Sequence, residues 1–213
     1  MIKDNLKQVQ QRIKAVDKNQ QVTLIAVSKT RPASDLQQAI DAGQRHFGEN
    51  YLQEALDKIQ ALKKQGLIWH FIGAIQSNKS QQIAQNFDWV HSVDRFKIAK
   101  RLNDQRPDKL GKLNVLLQIN IDNESTKSGI LPEQIATILA QFEHLDKLSL
   151  RGFMCIPSPS NSDISFARMA NIFKQYPNLD TLSMGMSGDL ELAIQNGASF
   201  VRIGTDIFGE RKQ

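Results

Sequence analysis

Cysteine is almost absent from this sequence. Cys155 is the only cysteine among 213 residues, so the chain cannot form an internal disulfide, and a reducing compartment fits that usage. The amino terminus, MIKDNLKQVQQRIK, lacks an apolar core of signal-peptide length. No apolar run approaches the roughly 20 residues that span a bilayer. We therefore expect a cytoplasmic protein that is neither exported nor bound to a membrane.

The excess of charge of one sign is also small. Lys and Arg total 27 against 22 Asp and Glu, a formal charge of +5, and the two signs are interleaved along the chain. The sequence has no arginine-rich tract and no zinc-finger or RNA-recognition signature, which argues against a nucleic-acid partner. A small anionic ligand, such as a phosphate ester, accounts for the positive sign equally well.

No Gly-x-Gly-x-x-Gly follows a predicted strand, which weakens the case for an open, doubly wound sheet. The chain has instead a regular alternation. A leading amphipathic helix within residues 1–17 is followed, over residues 22–210, by eight strand–helix units with short connections. Eight units predict a closed, parallel (β/α)8 TIM barrel of the α/β class. Because no linker or repeat interrupts the pattern, we predict a single domain over residues 1–213.

A lysine follows the first apolar strand, at the end of VTLIAVSK. Burial of an ammonium group is costly, and the same desolvation favours the neutral amine that can attack an aldehyde and form a Schiff base. In a barrel the carboxyl ends of the strands meet at one mouth, where the chemistry of this fold takes place. Lys29 is therefore a candidate functional residue, and the alternative is a solvated lysine at a strand end.

Glycines and hydroxyl side chains follow the seventh and eighth predicted strands. Ser187 and Gly188 stand at the seventh exit, and Gly204 and Thr205 stand at the eighth. Barrels often bind phosphate with these two loops, where glycine lets backbone N–H groups approach the anion. The alternative is ordinary turn and helix-capping chemistry. Because both loops carry the pattern, we expect a phosphate site.

Arg202 interrupts the apolar eighth strand between Val201 and Ile203. A buried guanidinium must be hydrogen-bonded, either to a ligand or in an ion pair with a strand-end acid such as Glu49. The four histidines, at positions 46, 70, 91 and 144, do not have the helical spacing of metal ligands. With a single cysteine as well, we predict no metal site.

Six strings of the sequence occur in an order that resembles the pyridoxal phosphate homeostasis protein family: AVSKT, FGENY, WHFIG, QSNK, SMGMS and VRIGTDIFG. This family is similar to the barrel domain of alanine racemase, the fold type III group of pyridoxal phosphate proteins. One position departs from the family's pattern, because Ala74 stands where a proline is expected after the glycine.

The resemblance implies a cofactor and its binding residues. Pyridoxal 5'-phosphate (PLP) would be held as a Schiff base on Lys29, with Arg202 facing the pyridine nitrogen. The other implied residues hold the phosphate group or line the pocket: Ser187, Gly204 and Thr205 for the phosphate, Asn50 and His70 for the pocket. An arginine at the ring nitrogen leaves it unprotonated, which makes the ring a weaker electron sink.

Binding and catalysis make different demands on this site. Racemisation needs a base on each face of the substrate carbon, and Lys29 can serve one face. In the racemases the other base is a tyrosine from a separate β-rich domain. The chain ends at Gln213, just after the last barrel unit, so we expect no such domain, and its tyrosines are Tyr51 and Tyr176. The resemblance thus implies a PLP-binding protein of intracellular vitamin B6 homeostasis without a dedicated catalytic activity.

Two alternatives stay open at this point. One is a PLP-dependent amino-acid racemase or related fold type III enzyme, and the other is a barrel enzyme that acts on a phosphorylated metabolite. We expect a monomer, since the domain that makes the racemase dimer contact is absent, and PLP-dependent apoenzymes as recipients of the cofactor. Lys79 and Lys127 are candidates for a second attachment point.

Overall fold

The structure, a computed structural model, describes residues 1–63 and 65–210. Eight strands and nine α-helices occupy this part of the chain. The strands are β1 (Thr23–Val27), β2 (His46–Glu49), β3 (Ile68–Phe71), β4 (Trp89–Val93), β5 (Leu113–Ile119), β6 (Leu148–Cys155), β7 (Thr181–Ser183) and β8 (Phe200–Ile203). The helices are α1 (Ile2–Val16), α2 (Ala33–Asp41), α3 (Leu52–Ala61), α4 (Ser80–Asn86), α5 (Phe96–Gln105), α6 (Ile135–Gln141), α7 (Ser162–Phe173), α8 (Leu190–Gln195) and α9 (Thr205–Phe208).

The strands form a closed parallel barrel. They pair in chain order, and β1 pairs with β8 to close the ring, with Ile25 beside Arg202. The predicted (β/α)8 barrel is confirmed, and the open doubly wound sheet is wrong. Because all strands run the same way, their carboxyl ends share one rim, and the loops that carry the predicted site residues meet there.

Apolar side chains fill two layers of the molecule. The larger layer lies between the strands and the surrounding helices and includes fully buried Phe47, Phe71 and Phe166. A smaller cluster fills the inside of the barrel: Ile25, Trp89, Leu116, Met154 and Phe200. Burial of apolar surface on both sides of the strands explains why they read as nearly continuous apolar runs in the sequence.

The leading helix α1 packs on the outside of the barrel. Its buried side chains, Ile2, Leu6, Val9 and Ile13, follow the predicted helical stripe and belong to the main core. The helix contacts α2, α8 and α9. Its side chains therefore lie close to the elements that follow β7 and β8.

One helix begins later than its pattern predicts. The sequence predicts a helix over 187–196, but α8 starts at Leu190. The carboxylate of Asp189 accepts a hydrogen bond of 2.6 Å from the backbone N–H of Met186, which closes a turn ahead of the helix. Ser187 and Gly188 thus belong to the loop after β7, where a ligand can reach their backbone.

Candidate ligand site at the barrel mouth

A cavity of about 270 Å³ opens at the carboxyl ends of the strands. Its wall comes mainly from the exits of β1, β2, β7 and β8. Six of the seven residues predicted for the site line it: Lys29, Asn50, Ser187, Arg202, Gly204 and Thr205. The size and the mixed polar and apolar wall are typical of a small-molecule site.

Lys29 follows β1 in a turn whose backbone is held on both sides. The N–H of Ser28 donates to the carbonyl of Gly48 at 3.0 Å, and the N–H of Thr30 donates to Glu54 at 2.5 Å. Thr30 has a φ of +64°, in the left-handed region that branched residues rarely adopt. The half-buried Lys29 side chain therefore starts from a fixed backbone at the rim of the cavity.

A buried charge cluster lies behind this turn. Lys58 of α3 donates to Glu49 at 2.7 Å and to Glu54 at 2.5 Å. Glu49 is fully buried, and burial raises the pKa of its carboxyl group, while the ammonium of Lys58 opposes that shift. The ion pair that the sequence suggested between Arg202 and Glu49 is therefore wrong. Lys58 takes the place of Arg202, because Glu49 points outward from the barrel towards α3.

Arg202 points into the barrel and is only 5% exposed. Its guanidinium donates to Ser183 Oγ at 2.7 Å and to the carbonyl oxygen of Cys155 at 3.0 Å. Among the residues that the structure describes, it makes no ion pair with a carboxylate. Burial lowers the pKa of Arg202 from its usual value. A guanidinium has five N–H donors, so this cation can still donate to a ligand in the cavity.

Three histidines extend this network through the barrel interior. His91 Nδ1 hydrogen-bonds Ser183 Oγ at 3.0 Å, and His91 Nε2 hydrogen-bonds His70 Nδ1 at 2.9 Å. His70 Nε2 in turn hydrogen-bonds His46 Nδ1 at 3.0 Å. Burial lowers the pKa of His70 and of His91 well below the usual value, which leaves both rings neutral.

His70 does not line the cavity, in contrast to the expectation for it. The side chain is fully buried and contacts the rings of Trp89 and Phe200 inside the barrel. It reaches the cavity only through His91, Ser183 and Arg202. His91 and Ser183 are not among the residues predicted for the site, although polar residues on buried strands are a signal for such a network.

The opposite wall combines Ser187 and Gly188 with Gly204 and Thr205, as expected for the loops after β7 and β8. A side chain at position 204 would bring its Cβ within 3.2 Å of the Val27 carbonyl oxygen. The glycine thus lets the exit of β8 lie close to the exit of β1. This close approach brings the loops expected to bind phosphate next to Lys29.

Asn50 adds an unsatisfied polar group to the same cavity. Its buried side-chain oxygen has no hydrogen-bond partner among the described residues. Buried polar atoms are seldom left in this state, because an unmade hydrogen bond costs free energy. The Asn50 amide, the guanidinium of Arg202 and the amine of Lys29 form a polar set that fits an aromatic ligand with an anionic group.

Cys155 is not a nucleophile of this site. Burial raises the pKa of its thiol to about 12, and its contact with Arg202 is a hydrogen bond to the backbone carbonyl. Within residues 1–63 and 65–210 no three His, Cys, Asp or Glu side chains are grouped as metal ligands. None of the helices in those ranges combines the length and the apolar character that crossing a membrane requires.

The sequence is similar to those of known proteins along its whole length. A family model described as "Alanine racemase, N-terminal domain" matches residues 1–212. The pyridoxal phosphate homeostasis protein of Escherichia coli K12 is 50% identical over 226 aligned positions, which cover 99% of this chain and 97% of that protein. The chain belongs to the pyridoxal phosphate homeostasis protein family. Another member, from Haemophilus influenzae, is 49% identical, with 99% of this chain and 96% of that protein covered.

Solved structures extend the comparison to three dimensions. PipY of Synechococcus elongatus PCC7942, solved with PLP bound, has a TM-score of 0.87 and 34% identity, covering 98% of this chain and all of that one. Alanine racemase from Corynebacterium glutamicum shares the fold alone, with a TM-score of 0.75 and 14% identity. This chain covers 61% of that racemase.

Proposed function

We propose that this protein binds PLP at the barrel mouth, held as a Schiff base on Lys29, and thereby takes part in intracellular vitamin B6 homeostasis. The observation that carries the proposal is Arg202, a buried cation that lines the cavity and makes no ion pair among the described residues. Family membership and the PLP bound to PipY support the same ligand.

Each part of PLP has a complementary group in the cavity. The amine of Lys29 would hold the aldehyde carbon, and Arg202 would donate to the ring nitrogen. Ser187, Gly204 and Thr205 would hold the phosphate with hydroxyl and backbone donors. Asn50 supplies an amide for a polar ring substituent. His70 would act at one remove, through the chain that ends at Arg202.

The site favours binding over catalysis. When bound, PLP supplies an electron sink, but a ring nitrogen that accepts from arginine stays unprotonated and withdraws electrons less strongly. Racemisation also needs a second base. Neither tyrosine lines the cavity: Tyr51 is 55% exposed, and Tyr176 packs against Phe153 with ring centroids 5.4 Å apart. We therefore infer a protein without a dedicated catalytic activity.

The finer parts of the proposal concern the setting. We infer that the protein works in the cytoplasm as a monomer and that PLP-dependent apoenzymes receive its cofactor. Light scattering tests whether the protein is a monomer, because a dimer would have twice the mass of the 213-residue chain. Mixing the PLP-loaded protein with a PLP-dependent apoenzyme, and following the return of activity, tests the transfer.

Absorption spectroscopy tests the binding proposal. Purified protein is titrated with PLP beside Lys29→Ala and a control, Lys100→Ala, whose lysine is exposed and paired with Asp104 on α5. We expect the wild type and the control to shift the absorption band of PLP to longer wavelength, as Schiff-base formation does, and Lys29→Ala to leave the band of free PLP in place. Borohydride reduction followed by peptide mapping should locate the label on Lys29. A shifted band that survives in Lys29→Ala would move the attachment to another lysine, and a wild type that does not shift the band of PLP would overturn the proposal.

A further inference from the structure

One residue outside the cavity connects the two loops assigned to the phosphate. Arg12 of α1 donates from Nε and Nη2 to the two carboxylate oxygens of Glu191, at 2.6 and 3.0 Å. It also donates from Nη1 to Asp206 at 2.5 Å and from Nη2 to the carbonyl oxygen of Ser187 at 3.0 Å. A single guanidinium thus ties the loop after β7 and the helix after β8 to a third element.

The contact with Ser187 fixes the direction of a peptide group. In a planar trans peptide the carbonyl and the following N–H point to opposite sides. Because Arg12 holds the Ser187 carbonyl, the N–H of Gly188 is turned away from Arg12. Ser187 and Gly188 both line the cavity, and among the described residues the N–H of Gly188 donates no backbone hydrogen bond. This N–H can therefore donate to an anion in the cavity.

Arg12 also balances charge beside this wall. Asp206 directly follows Thr205, and Glu191 lies in the first turn of α8. Without a cation these two carboxylates would oppose a phosphate dianion nearby. The Arg12 hydrogen bonds lower the pKa of Glu191, as expected for a carboxylate in a bidentate pair. A lysine has no planar fork and cannot make all these contacts in fixed directions.

We propose that Arg12 is a positioning residue for the phosphate end of the site and sets its preference for a phosphorylated ligand over the same ligand without phosphate. The inference rests on the proposed function. It assigns to α1, which lies outside the cavity, a role in ligand selection. It also makes a specific demand, because loss of Arg12 must harm the binding of the phosphate group and leave the binding of the aldehyde and ring intact.

The test compares PLP with pyridoxal, which has the same ring and aldehyde but no phosphate. Dissociation constants for both are measured by visible absorbance for the wild type, Arg12→Gln and Arg12→Lys. The matched control is Arg151→Gln. Arg151 is 35% exposed against 36% for Arg12 and also makes a bidentate pair with a carboxylate, Asp180, which lies before β7 at the opposite end of the barrel.

We expect Arg12→Gln to weaken PLP binding by about tenfold, which corresponds to the loss of one hydrogen bond from the backbone to the charged phosphate. The dissociation constant of pyridoxal should change by less than about twofold. Arg12→Lys keeps the charge and should lie in between, and Arg151→Gln should match the wild type. Inorganic phosphate should compete with PLP less well in Arg12→Gln than in the wild type.

Two results would overturn the inference while leaving the proposed function intact. One is an equal loss for PLP and pyridoxal, which would make Arg12 a structural residue, and the other is no change in either constant. If Arg12→Gln does not fold, Arg12→Lys decides the question by the same ratio. If the wild type itself binds neither ligand, the proposed function fails and the inference fails with it.

Discussion

The ammonium group of Lys58 donates a hydrogen bond of 2.7 Å to the carbonyl oxygen of Ser28, the residue directly before Lys29. The same ammonium group pairs with Glu54, which accepts from the N–H of Thr30, the residue directly after Lys29. One buried cation therefore holds the backbone on both sides of the proposed attachment point. Lys58 is only 4% exposed, so its charge is compensated by Glu49 and Glu54 rather than by water.

Replacing Lys58 with Met should destabilise the protein strongly. The change leaves the carboxylate of Glu49 buried without a cation, and breaking a buried ion pair in this way costs about 3–5 kcal/mol. Urea unfolding measures the loss in the free energy of unfolding. Lys58→Met combined with Glu49→Gln should recover part of it, because the uncompensated charge is then removed. A single variant within about 1 kcal/mol of the wild type would contradict this account of the cluster.

The buried histidines should make the protein less stable in mild acid. Their pKa values are lowered in the folded state, so in the range below the unfolded value, near 6.5, only the unfolded chain takes up protons. Stability is therefore fully present above that value and is lost as the pH falls. From pH 7.5 to 5.0 we expect the free energy of unfolding to fall, by at most about 2 kcal/mol for each of His70 and His91.

Unfolding at the two pH values and nuclear magnetic resonance of the imidazole rings check this prediction together. The ring signals of His70 and His91 should not titrate near pH 6.5. Ordinary titration of either buried ring near pH 6.5 would contradict the proposal that both rings are neutral in the folded protein.

Much of the fold is present in the sequence as a pattern. Eight apolar runs, each followed by an amphipathic stretch, leave few topologies other than a barrel, and this prediction is confirmed. The start of α8 was placed three residues too early, because the turn closed by Asp189 depends on one side-chain contact that periodicity does not reveal. The extent of the single domain, residues 1–213, stays a prediction.

The site shows where sequence reasoning stops. The ends of the predicted strands could be assigned to one rim of the barrel, and this led to the expectation that Lys29, Arg202 and Thr205 lie close together. In the structure all three line one cavity. The depth of a side chain within the barrel depends on strand stagger, which the sequence does not reveal. For this reason the position of His70 below the cavity could not be predicted. Lys58 and Arg12 lie on amphipathic helices, where the sequence pattern predicts that a charged residue is exposed to solvent. Their partners lie on other elements and are identified only in three dimensions.

Cys155 should be inert towards thiol reagents in the native protein. Burial raises the pKa of its thiol to about 12, and the residue is fully buried at the end of β6. A chromogenic disulfide reagent at neutral pH should therefore report no reaction until denaturant is added, and then one thiol for each chain. Cys155→Ala supplies the blank for both conditions. Rapid reaction of the native protein would show that β6 opens at its carboxyl end.

Arg202→Met should separate stability from binding. In the ligand-free protein the guanidinium is desolvated and has neutral acceptors only, Ser183 Oγ and the Cys155 carbonyl, among the described residues. Replacing Arg202 with an apolar side chain removes the desolvation penalty of its charge and leaves no charged partner uncompensated among the described residues. We therefore expect the ligand-free variant to unfold at the same urea concentration as the wild type, or higher, while its affinity for PLP falls by at least about tenfold.

The outcome distinguishes the two explanations of a buried arginine. If Arg202 is kept for a ligand, a fixed concentration of PLP should raise the melting temperature of the wild type more than that of Arg202→Met, because Arg202→Met lacks the donor for the ring nitrogen. Arg151→Met is the control, since Arg151 lies outside the cavity and is half-exposed, so PLP should raise its melting temperature as in the wild type. A ligand-free Arg202→Met that is less stable than the wild type by more than about 2 kcal/mol would instead make Arg202 a structural residue.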